Sequence, residues 1–182
     1  MMHAASTHRR SVLGIQTAIV TVLSLTAVES VAAQDVPGAP RIRSDSTRIT
    51  GAIAHGNERS GTFRHLVDSI EASDGLVYVI EGECGHGVNA CLLLSITTAG
   101  PFRVLRIRVA LRKTPGCQLV EVIGHELQHA VEVLLEPRIR TNQQMYHFFG
   151  GIGPTGLGRF ETAAAIHAGL DVAHEACPRG GF

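Results

Sequence analysis

The chain of 182 residues is 45% apolar and 18% charged, with a formal net charge of zero. That length and composition suit one domain around a single hydrophobic core. The balanced charge argues against a nucleic-acid partner, which would need a concentrated basic face. Trp is absent and aromatic residues make up 4% of the chain, so the core has to be assembled from Val, Leu, Ile and Ala.

His8, Arg9 and Arg10 precede an apolar run from Val12 to Val28, and Val31, Ala32 and Ala33 follow it. A basic start, an apolar centre and small residues at its end form the pattern of a secretory signal peptide cleaved after Ala33. The run is diluted by Gln16, Thr17, Thr21 and Ser24 and stops at Glu29, short of the ~20 residues a membrane span needs. Residues 34–61 are rich in Pro, Gly, Ser, Thr and Arg without a sustained period, which predicts a flexible N-terminal arm. The expected organisation is a signal peptide over 1–33, that arm over 34–61 and a folded domain over 62–182. Such a protein is secreted or periplasmic and has no stable membrane span after cleavage.

Within the domain, Phe63, Leu66, Val67 and Ile70 have helical spacing and predict a helix over 62–73, ended by Asp74-Gly75. Three strands should follow, over 76–81, 90–97 and 102–111. The last alternates Leu105, Ile107 and Val109 with Arg106 and Arg108, the mark of a half-buried strand with its arginines solvated. After the break at Thr114-Pro115-Gly116, apolar residues at Val122, Ile123, Leu127, Ala130, Val131 and Leu134 predict a helix over about 118–136, stopped by Pro137. The glycine-rich stretch 150–158 reads as a loop, and a last helix is expected over about 159–176.

The central helix carries His125, Glu126, Leu127, Gln128 and His129, an H-E-x-x-H pentad. Histidines four apart lie on one helix face and can share a tetrahedral zinc, with the glutamate beside the remaining position as general base. A third protein ligand is then required. Glu161, in a segment rich in small residues (Ala164, Ala165, Ala168 and Gly169) that would allow close helix approach, is the best candidate. His167, Asp171 and His174 are alternatives, although helical geometry turns them away from Glu161. Glu132 shares the helix of both histidines, from which three ligands surround one ion poorly. It is expected to support a ligand or to face water.

Cys84, Cys91, Cys117 and Cys177 form an even set, which in an exported chain reads as disulfides. Three pairings are open. Gly85, Gly87 and Asn89 suit a tight loop between strands and favour Cys84 with Cys91, which leaves Cys117 with Cys177.

The pentad and its flanks, with Val122 three residues before the first His and Val131 two beyond the second, resemble the signature of zincin metallopeptidases. A downstream glutamate instead of a third histidine resembles the gluzincin branch. The resemblance covers about residues 62–176 and implies an α+β fold: an N-terminal helix, a three-stranded mixed sheet, the H-E-x-x-H helix and a C-terminal glutamate helix. It further implies Zn2+ on His125, His129 and Glu161, Glu126 as general base, and a peptide or protein substrate aligned along the strand 102–111. Tyr146 or His147 would be the donor to the oxyanion. The place where gluzincins often carry an Asp that steadies a histidine is Ala165 here. Zinc binding without turnover, and hydrolysis of other amides or esters, are the alternative functions.

Overall fold

A computed structural model describes residues 38–85, 87–152, 155–156 and 159–177. The signal peptide expected over 1–33 lies outside these residues. The remainder is α+β, with five helices and a five-stranded mixed sheet among the described residues, so the expected three-stranded sheet is corrected to five.

The arm is the first correction. Residues 42–59 are not a flexible linker but form β1 (Ile42–Arg43) and α1 (Thr47–Arg59). Ile49, Ala52 and Gly56 are buried on one helix face. Gly56 is there because the Phe63 ring would lie 2.7 Å from any added Cβ. Poor intrinsic helix propensity is overridden here by packing.

Next come α2 (Gly61–Glu71), β2 (Gly75–Glu81), β3 (Ala90–Leu92), β4 (Thr97–Ala99) and β5 (Phe102–Val109). The strand expected over 90–97 is split in two, because the Ile96 amide leaves the sheet to bond the Asn142 side chain at 2.9 Å. Strands β1, β2 and β5 run parallel, while β3 and β4 pair antiparallel with successive stretches of β5. With β2 on one side and β3 and β4 on the other, β5 has no free edge to offer a peptide. The outer strands of the sheet are β1 on one side and β3 and β4 on the other.

The metal-motif helix, α3 (Cys117–Leu134), packs against the sheet and against α1, α2 and the last helix, α5 (Ala163–Ala176). Its buried face is Ile123, Leu127, Ala130, Val131, Val133 and Leu134. Between α3 and α5 lie α4 (Asn142–Ile152), which the glycine-rich composition concealed, and the two-residue strands β6 (Thr155–Gly156) and β7 (Arg159–Phe160).

Arg103 anchors the C-terminal end of α3. On β5 it shares the inward face with Leu105, Ile107 and Val109 and is 1% exposed. Its guanidinium donates to Asp74 and to the carbonyls of Val133, Leu134, Glu136 and Ile139 at 2.7–3.2 Å. Helix C-terminal carbonyls lack intrahelical partners and attract a cation. Disulfides join Cys84 to Cys91 and Cys117 to Cys177. The second ties the start of α3 to the end of α5, which Glu175 also pins by accepting from Ser60 Oγ at 2.6 Å and Thr62 N at 2.9 Å.

Candidate metal centre

His125 and His129, one turn apart on α3, direct their rings to the same side, with centroids 5.0 Å apart. Helix α5 approaches that side closely. Gly124 of α3 faces Val172, whose Cγ2 would lie 2.9 Å from an added Cβ, and Gly169 of α5 faces His125, whose Cβ would be 3.2 Å away. Of the small residues expected to permit this approach, Ala165, Ala168 and Gly169 are buried, whereas Ala164 is exposed.

Glu161 precedes α5 instead of standing on it, because Thr162 is the N-cap: its side chain accepts from Ala165 N at 3.1 Å. The capping residue turns the chain so that Glu161 projects over the histidines. Its Oε1 lies 3.0 Å from His125 Nε2 and 3.1 Å from His129 Nε2.

The three ligand atoms lie within 4.8 Å of one another. For ligands about 2.1 Å from a tetrahedral ion, neighbouring donors are roughly 3.4 Å apart. The two Glu161–histidine contacts need to open by only a few tenths of an ångström. Two imidazole nitrogens and a carboxylate oxygen, open to a cleft on the remaining side, form a donor set that fits a divalent metal such as zinc.

Electrostatics fit the same account. Burial works against charged His129, but hydrogen bonds to the Glu132 and Glu161 carboxylates outweigh it and push its pKa up to about 9. The His129 hydrogen bond in turn holds the Glu161 carboxyl below its ordinary range, against the opposing effect of partial burial.

Glu126 points from the same helix into the cleft wall and is 6% exposed. Its Oε2 accepts from Leu92 N of β3 at 2.6 Å. Burial raises its pKa, while the nearby imidazoles and the Leu92 N–H act in the opposite direction.

The cleft has a volume of about 600 Å³ and contains all four residues, with Leu92, Val122, Phe149 and Leu170 among its walls. Tyr146 and His147 do not line it. Tyr146 is 55% exposed and packs edge-on against Phe160. His167, Asp171 and His174 are exposed on α5 and do not line the cleft. Glu132, by contrast, accepts from His129 Nδ1 at 3.0 Å and from Thr162 Oγ1 at 2.6 Å. Sequence reasoning did not find Thr162 or Leu92. A threonine after the ligand glutamate and before an alanine run is an N-cap signal that would have found the first.

No family model, no curated protein and no solved structure matches this chain. Its functional reading therefore rests on this group of side chains.

Proposed function

We propose that this protein is an exported zinc-dependent metallopeptidase of the gluzincin type. The observation that carries the reading is the convergence of His125, His129 and Glu161 at one open cleft, with the Glu126 carboxylate beside them. Zinc held by these three would supply Lewis acidity, polarising a carbonyl and acidifying water. Glu126 takes a proton from the attacking water and passes it to the amine released as the C–N bond breaks. Burial raises its pKa, the direction that suits a general base. Export is supported by the leader-like N-terminal sequence and by two disulfides, which persist in oxidising compartments. No helix among the described residues is long and apolar enough to cross a membrane.

The position of Tyr146 and His147 outside the cleft favours a second reading, zinc binding without turnover, since the expected oxyanion donors are not at the site. Glu126→Gln separates the two. It keeps the side-chain size but cannot accept the proton from water, so hydrolysis of a protein substrate should fall about 10²–10⁴-fold with zinc retained. A wild-type protein that binds zinc and cleaves no peptide, ester or amide in a broad panel would establish the second reading.

A further inference from the structure

We propose that Glu132 is the positioning residue of the metal centre, holding His129 and the segment that carries Glu161 in one fixed arrangement. The inference rests on reading His125, His129 and Glu161 as metal ligands. The Glu132 side chain is 12% exposed, and both of its oxygens are used. Oε2 accepts from His129 Nδ1 and Oε1 from Thr162 Oγ1, at 3.0 and 2.6 Å.

Each bond does a different job. A carboxylate at Nδ1 fixes the proton on that nitrogen, so the ring presents Nε2 to the ligand cluster and cannot rotate away. The bond to Thr162 acts on the other half of the site. Thr162 is 7% exposed, adjoins Glu161 and caps α5, so fixing its hydroxyl fixes where α5 starts and where Glu161 projects. The ligand glutamate and the second histidine are 32 residues apart. Glu132 bridges this separation with one side chain. A glutamate three positions beyond a helical histidine would usually face water; here it is paired on both oxygens, and a buried carboxylate is tolerated only when so paired.

Substitution tests the role through metal affinity, with zinc as the probe and a chromophoric chelator as competitor. Glu132→Gln keeps the shape but offers one acceptor where two donors, Nδ1–H and Oγ1–H, point. Its amide can still donate to the Thr162 hydroxyl, but the carboxylate charge that holds Nδ1–H is lost. Removing such supporting partners typically weakens metal binding about 10–100-fold. We expect a loss near the lower end for Glu132→Gln and near the upper end for Glu132→Ala. Zinc-loaded wild type should also show a slowly exchanging His129 Nδ1–H proton by NMR, which Glu132→Ala lacks. Variants that lower the melting temperature of metal-free protein but keep wild-type zinc affinity well below that melt would overturn the proposal. So would a persistent Nδ1–H signal in Glu132→Ala. Wild-type protein that binds no zinc would instead refute the metal reading on which the proposal stands.

Discussion

Arg103→Met should be the most destabilising single change in the sheet. The guanidinium is 1% exposed, and its Nε, Nη1 and Nη2 all have partners: the Asp74 carboxylate and four carbonyls at and just beyond the end of α3. Counting each charged hydrogen bond at about 1.5–3 kcal/mol would give more than 10 kcal/mol. That sum is not additive, because water can reach the opened helix end and Asp74 is already partly exposed. The cost of breaking one buried ion pair, about 3–5 kcal/mol, is the better figure. For a domain of this size it lowers the melting temperature by roughly 10 °C or more. Urea unfolding followed by circular dichroism measures it, and Arg103→Lys should recover little, since an ammonium has three donors and no planar fork. Acid sensitivity gives a second signature. Burial tends to raise the Asp74 pKa, but Arg103 outweighs it and holds the group below its ordinary 3.8. A lowered folded pKa stabilises above the unfolded value, and that stability is lost as pH falls through the folded pKa. The wild type should therefore lose stability below about pH 4 more steeply than Arg103→Met. A loss under about 1 kcal/mol in urea, with an unchanged acid limb, would refute the anchoring role.

Loop-closure entropy ranks the two disulfides. Cys117–Cys177 spans 60 residues and Cys84–Cys91 spans 7, so replacing the first pair by serine should cost about 4 kcal/mol and the second about 2 kcal/mol; denaturant midpoints of the two double variants check the order. Metal binding should be linked to protons. The His129 pKa is raised to about 9, which stabilises the metal-free protein fully below the unfolded value near 6.5 and ceases to do so as pH rises through 9. Zinc has to displace that proton, so its affinity should climb from pH 6 to pH 9 with about one proton released at neutrality, a count given by calorimetry in buffers of different ionisation enthalpy.

The parts of the fold with a strong period were legible in the sequence. The apolar residues of α3 repeat at helical spacing, and that spacing alone brings His125 and His129 to one face. The Cys84–Cys91 link followed from the glycines between them. Helix α1 was hidden because Gly51 lowers its helix propensity and Gly56 dilutes its apolar face, and Gly56 is explained only by Phe63, which comes from the next helix. Helix α4 was hidden by the glycines at its end. Arg103 has the parity of core residues, but an arginine reads as surface until the helix end it caps is known. The same holds for Glu132 and Thr162, 30 residues apart, whose bond exists only once α5 has docked. The start of α5 shifted from the expected Arg159 to Ala163 because a side-chain cap, not the apolar pattern, decides where a helix begins.

The central claim is that His125, His129 and Glu161 together hold one metal ion. Zinc bound per chain, measured by mass spectrometry on purified wild type and on Glu161→Ala after dialysis against a weak chelator, tests it most directly. The account predicts one zinc per wild-type chain and substantially less than one in Glu161→Ala, with the fold of the variant intact by circular dichroism. Full zinc occupancy in Glu161→Ala, or none in the wild type, would contradict it.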